Sequence, residues 1–251
     1  MIFFYLIALV VTFLGVVINL PGTVHMNPIL LNFYDVKTVL FLVAIYKTFD
    51  SICRIIVFRK EIVKEHLLQI VILGMFGGLV GSYLLDYINE KILILVFLFS
   101  GFKFLYEYYS KKKNQVSSLE KTLTKKHEIF LDTFIAGFVA SFLQVFGIGT
   151  GPIRQGYYLS KGHSLGSTQG TVGFMFLFSG LAIVSTRVFF GGMDPKLILV
   201  ILPLFPFILA IVYFGKYVIY KIPKVWQDRV IIYSLVISLL TVLPKLFNIK
   251  L

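Results

Sequence analysis

The sequence predicts an all-α integral membrane protein of about eight transmembrane helices, arranged as two similar four-helix halves. Of its 251 residues, 58% are hydrophobic and only 14% are charged, and mean hydropathy is +0.89. That composition leaves too little polar surface for a water-soluble domain. Windows nearly free of charge recur along the whole chain, and a helix of roughly 20 residues crosses the ~30 Å hydrocarbon core. The order of glycines, threonines and charges in the first half also returns in the second.

The windows run at 2–20, 36–58, 66–86, 91–109, 129–147, 164–189, 196–217 and 226–247. The first has no basic leader and no small-residue cleavage site, so it reads as a retained helix rather than a signal peptide. The second carries "YKTFDSICR" at 46–54. In the third, "GMFGGLVG" at 74–81 places glycines four residues apart, a pattern for close helix packing. The fifth ends in "FGIGTGPIRQGYY" at 146–158, the sixth opens with "HSLGSTQGTVG" at 163–173, and the seventh is interrupted by Pro203 and Pro206. Such prolines kink or loosen a helix.

Lys and Arg number 24 against 12 Asp and Glu, a net charge of +12. In a membrane chain this excess belongs to cytoplasmic loops rather than to nucleic-acid binding, and the linker "SKKKNQVSSLEKTLTKKH" at 110–127 is the richest of them. Counting crossings outward from it places both termini in the cytoplasm, together with Arg54, Arg59, Lys60 and Lys64. Lys216, Lys221 and Lys224 then fall outside, against the rule. The lone cysteine, Cys53, has no partner for an internal disulfide or a metal site. No metal and no cofactor is expected.

The internal repeat superposes Gly22 on Gly149 and Thr23 on Thr150, then Thr38 on Thr171, Arg54 on Arg187, Glu61 on Asp194, Gly81 on Gly215, Tyr83 on Tyr217 and Ile88 on Ile222. The halves are therefore 1–110 and 128–251, joined by the basic linker 111–127. Four full spans in each half imply parallel repeats; re-entrant or broken helices at the glycine loops imply inverted ones. The sequence leaves both open.

Irregular backbone within a bilayer is tolerated where it lines protein or a water-filled cavity. Gly149 and Gly151 free the backbone, Thr150 adds a hydroxyl, and Pro152 suits the first turn of a following helix, whose N-terminus attracts anions. Arg154 adds a planar donor fork suited to carboxylate, sulfonate or phosphate oxygens. The matched loop of the first half offers Gly22, Thr23, His25 and Asn27 without an arginine. The two loops form unequal walls of one candidate site, with Thr38, Gln169 and Thr171 beside them. The plainer alternative is a pair of ordinary turns, with Arg154 snorkelling to the interface.

Lys47, Asp50 and Arg54 are spaced by three and four residues and share one helix face. They form either a neutralising ladder or a coupling site at which Asp50 takes a proton or cation that drives transport.

The loops "PGTVHMNP" at 21–28 and "GIGTG" at 147–151, with "TQGT" at 168–171 and "RVFFGGMDPKLI" at 187–198, resemble segments of the TauE/SafE family of sulfite and organosulfonate exporters over nearly the whole chain. Gln155 replaces an expected proline, the first loop keeps one glycine, and Lys37 stands where a small residue precedes Thr38. The resemblance implies a secondary transporter, with export as its direction. A small anionic substrate and the lipid bilayer are the expected partners, and a homo-oligomer is compatible with the fold. The competing classes are an anion channel, a non-catalytic membrane subunit and an intramembrane enzyme. An enzyme lacks support because His25, His66, His127 and His163 are scattered and no His-Glu-x-x-His or metal-binding carboxylate pair occurs.

Overall fold

The computed structural model describes residues 2–17, 22–89, 91–95, 99, 126–148, 150–159, 161–163, 165–190, 192–218 and 221. The described residues are helical throughout, apart from turns. They form α1 (Ile2–Val17), α2 (Gly22–Leu30), α3 (Val36–Phe58), α4 (Leu67–Leu84), α5 (Lys126–Phe134), α6 (Ala140–Val145), α7 (Gly151–Leu159), α8 (Leu165–Phe189), α9 (Lys196–Ile201) and α10 (Phe205–Val218). A π turn, Ile135–Val139, joins α5 to α6. Most of the predicted spans at 91–109 and 226–247, and most of the linker, lie outside the described residues.

The segments Leu67–Tyr87, Ser167–Phe189 and Lys196–Val218 are each long and apolar enough to cross a membrane. α3 matches them in length at 23 residues but carries Lys37, Lys47, Asp50 and Arg54. Its charges are accommodated because it occupies the centre of the bundle, with residues from Val39 to Thr48 buried in an unbroken run. Asp35 starts it, accepting the Thr38 backbone N–H at 2.9 Å and so satisfying an otherwise orphaned donor. Pro203 lies in the 3-10 turn Leu202–Leu204 that separates α9 from α10. The break follows from the N–H that proline cannot donate to the helix ladder.

Packing fixes the direction of each element. α8 runs antiparallel to α3, since Gly170 faces Phe58, Gly173 faces Arg54 and Gly180 faces Thr48. α4 runs parallel to the α5–α6 segment. Ile70 meets Gly137, Gly77 presses on the Phe138 carbonyl and Gly81 meets Val145. α1 runs parallel to α10, with Tyr5 donating to the Val200 carbonyl at 2.5 Å and Val16 against Gly215. The bundle therefore has two ends. One holds Lys37, Asp86, Arg187 and Phe190; the other holds Phe58, Glu61, Glu65, Lys161 and Lys216.

α1 and α2 form a hairpin that begins and finishes at the Asp86 end, where Phe3 stacks on Phe33 at 5.1 Å. The α5–α6 segment and α7 form a second hairpin that begins and finishes at the Glu65 end, where the Tyr158 hydroxyl donates to the Glu65 carbonyl at 2.9 Å. Both short helices, α2 and α7, are re-entrant.

This geometry corrects the topology expected from counting crossings. Lys161 lies on Glu65 at 2.6 Å, so the loop after 159 shares the end of Arg59 and Lys60 instead of opposing it. Lys216 pairs with Glu61 at 2.6 Å and also joins that end, which removes the conflict noted for it. The first residues of α1 and of α5, Ile2 and Lys126, stand at opposite ends, against the expectation that the chain's start and the basic linker share a side. The cause is the same in each case: two glycine-bearing loops turn back within the bundle, and each reverses the count of crossings after it.

Candidate functional site

α2 of the first hairpin meets the tip of the second beside α3 and the C-terminal part of α8. Asn27 of α2 donates its Nδ2 to the Gly147 carbonyl at 3.0 Å. Gly147 has φ +78°, a left-handed conformation that a glycine adopts without Cβ strain. Beside this contact lies a cavity lined by Asn27, Lys47, Leu85, Gln144, Gly147, Ile183 and Arg187, among others. Its volume is about 20 Å³, and a single water needs roughly 10–15 Å³ on this measure. The space therefore holds about one water and is narrower than a tetrahedral or pyramidal oxyanion needs.

Four polar side chains face this apolar-walled space. Lys47 Nζ is 3.2 Å from Asp50 Oδ2, which also accepts from Arg54 Nε at 3.0 Å. Arg54 Nη1 donates in turn to Gln169 Oε1. Arg187 Nη1 lies 2.7 Å from Asp86 Oδ1, and that oxygen is 3.5 Å from Lys37 Nζ. Each group combines two cations with one carboxylate, so each leaves one positive charge in excess. Asp50 Oδ1 and Asn27 Oδ1 are buried without a hydrogen-bond partner among the described residues.

Arg154 of α7 lies behind the cavity and is 1% exposed. Its Nη2 donates to Ser141 Oγ at 2.6 Å and to Ser179 Oγ at 3.4 Å, while Ser179 Oγ donates to Gln144 Oε1 at 3.2 Å. The guanidinium sits 4.2 Å over the Phe176 ring. Its Nε and Nη1 have no partner among the described residues, and no carboxylate there pairs with it. An arginine so placed does not snorkel; it keeps donor capacity and a full charge inside the bundle.

The structure brings together Asn27, Lys47 and Asp50, and it joins Arg54 to Gln169. It separates Thr38 from Thr171. Thr38 lies in the first turn of α3, where its backbone N–H donates to the capping Asp35, whereas Thr171 accepts from the Val63 N–H at 2.8 Å and donates to the Ser167 carbonyl at 2.8 Å. With roughly 30 Å of α3 between those levels, one small ligand cannot touch both, and the expectation that they flank it together is corrected. Thr150 is buried with its Oγ1 unpartnered, and Gly151 faces open space, since an added Cβ meets nothing within 4 Å. Gly22 begins α2; the Thr23 side chain and Gly149 lie outside what is described. Gln144, Ser141, Ser179 and Arg187 were not singled out from sequence. Gln144, a lone glutamine in an apolar span, was legible as an intramembrane polar residue.

Polar and cationic groups enclosed between two re-entrant hairpins define a class, the multi-pass helical membrane proteins that hold a small polar ligand inside the bundle. Residues 4–242 match the family described as Sulfite exporter TauE/SafE, and the chain belongs to that family. It is a membrane transport protein and not an enzyme. No curated protein and no solved structure matches the chain.

Proposed function

We propose that the protein is a secondary transporter of a small sulfur-containing oxyanion, sulfite or an organosulfonate, across the cytoplasmic membrane. The observation that carries this reading is the cavity between α2 and the tip of the second hairpin. Two buried cations, Lys47 and Arg187, and two amides, Asn27 and Gln144, border a space where developing contacts to several oxygens can be satisfied at once. Arg154 adds an uncompensated charge behind it, two hydrogen bonds away through Ser179 and Gln144. Family membership supports the sulfur class of anion and export as the direction.

The two halves act as inverted repeats in this proposal. The matched positions Gly81 and Gly215 support it, because Gly81 packs on Val145 of the second hairpin and Gly215 on Val16 of the first. Residues 1–110 and 128–251 then rock against each other about the α3–α8 contact, exposing the cavity to each side in turn. A central cavity of only about 20 Å³ supports such a cycle over a wide pore. The basic linker assigns the Glu65 end to the cytoplasm. Asp50, with one free carboxylate oxygen between Lys47 and Arg54, is the candidate coupling group.

Counterflow in proteoliposomes tests the proposal. Vesicles loaded with unlabelled sulfite, thiosulfate, sulfoacetate or a plain carboxylate are expected to accumulate the labelled sulfur anion, and Arg154→Ala is expected to lose that accumulation. Folded protein that exchanges none of these anions would sink the carrier reading.

A further inference from the structure

A second cavity, of about 140 Å³, opens at the Asp86 end and is lined by Ser82, Tyr83, Asp86, Thr186, Arg187 and Phe190 together with Tyr87. Arg187 lines both this vestibule and the central cavity, so one guanidinium forms the partition between them. Its side chain is 3% exposed while that of Asp86 is 44% exposed. The carboxylate thus sits on the wet side of the partition and the cation within it. Gly192 backs the guanidinium, accepting from Nη2 at 3.5 Å, and a Cβ on Gly192 would come within 2.8 Å of Cζ.

From this arrangement we infer that the vestibule is a second oxyanion site, in which the substrate anion replaces the Asp86 carboxylate on the Arg187 guanidinium as it passes to or from the central cavity. The chemistry is that of one planar donor fork and two competing acceptors. A carboxylate and a sulfite or sulfonate present similar pairs of oxygens to the fork. Asp86 is tethered at the end of α4 and also neighbours Lys37 at 3.5 Å, so it has an alternative cation when an anion takes its place. The Ser82 and Thr186 hydroxyls on the same wall already donate to the Ile183 and Ala182 carbonyls, at 3.4 and 2.7 Å, which leaves the guanidinium as the anion's donor. The volume admits an oxyanion, which the central cavity as it stands does not. The Asp86–Arg187 pair therefore closes the passage when no anion is present, and an arriving anion opens it by exchange.

The inference rests on the transport reading above, and two readouts separate their failures. In the first, sulfite and methanesulfonate counterflow is compared for the native chain, Asp86→Asn and Arg187→Lys. Asp86→Asn removes the competitor and is expected to lower the sulfite KM several-fold. Arg187→Lys keeps the charge and loses the fork, and is expected to raise KM about tenfold, the equivalent of one charge-assisted hydrogen bond.

The second readout needs no transport. Ala44 lines the central cavity, and Ala44→Cys in a Cys53→Ser background, held in lipid nanodiscs, reports access through its reaction with a charged methanethiosulfonate. Asp86→Asn is expected to accelerate that reaction several-fold, as is Gly192→Ala, which displaces the guanidinium without touching its charge. Native counterflow with an unchanged KM and unchanged labelling in Asp86→Asn would overturn the outer site and leave the transport reading standing. If neither sulfite nor methanesulfonate exchanges in any folded variant, the oxyanion site falls with the transport reading.

Discussion

Asn27, midway along α2, and Gly147, at the tip of the second hairpin, are tied by a single hydrogen bond of 3.0 Å between a side-chain amide and a backbone carbonyl. Asn27 is 1% exposed, so removing its Nδ2 strands a buried acceptor. Asn27→Leu is expected to cost about 1–3 kcal/mol, read as a lower thermal midpoint in detergent. Gly147→Ala, at φ +78°, is expected to cost about 1–2 kcal/mol by backbone strain. A fully additive double variant would show that the contact is not shared.

Asp50 is the only acid in the ladder formed with Lys47 and Arg54. Asp50→Asn leaves two buried cations without their carboxylate and is expected to destabilise by about 3–5 kcal/mol. If Asp50 also carries the coupling proton, the folded fraction of Asp50→Asn retains counterflow but loses accumulation driven by a pH gradient. Equal losses of both activities would assign Asp50 to structure alone.

Gly77 and Gly151 make opposite predictions for the same substitution. A Cβ at Gly77 collides with the Phe138 carbonyl, which belongs to backbone and cannot swing aside. Gly77→Ala is expected to cost about 1–3 kcal/mol in chemical or thermal unfolding. Gly151→Ala meets nothing within 4 Å and is expected to fold normally, so a change in its anion counterflow reports on function.

At the other end of the bundle, the Lys161 ammonium, 2.6 Å from Glu65, holds the Glu65 carboxyl below its ordinary range, with His163 and His66 adding smaller effects. A depressed carboxylate pKa stabilises the fold fully above the ordinary value near 4.5 and loses that contribution as pH falls through the lowered value. Glu65→Gln is therefore expected to flatten the acid limb of the thermal midpoint against pH while changing little near neutrality. An unaltered acid limb would show that this latch is not linked to folding.

The membrane class, the positions of α3, α4 and α8, and the polar character of α3 were legible because apolar length and charge spacing are local properties. Lys47 and Asp50 stood out as charges in apolar surroundings, and Asn27 through the loop that the repeat matches to 149–155; the structure sets the three side by side. The side of the membrane at each end was not legible. It depends on whether the segments at 22–30 and 151–159 cross or return, and a nine-residue helix of mixed polarity signals neither. Arg187 illustrates the remaining gap: the repeat matched it to Arg54, but its role rests on a partner about 100 residues distant, Asp86, which no local pattern connects to it.

The π turn at Ile135–Val139 sets the rotational phase of everything after it. Such a turn holds roughly one residue more than an α-helical turn, and one residue is worth about 100° around the axis. Ser141 and Gln144, which meet Arg154 and Ser179, face the interior with that residue absorbed in the turn. Deleting a single residue from the turn would return it to plain α-helix and leave both polar groups facing inward, whereas deleting one from α5 before it would rotate them by about 100°.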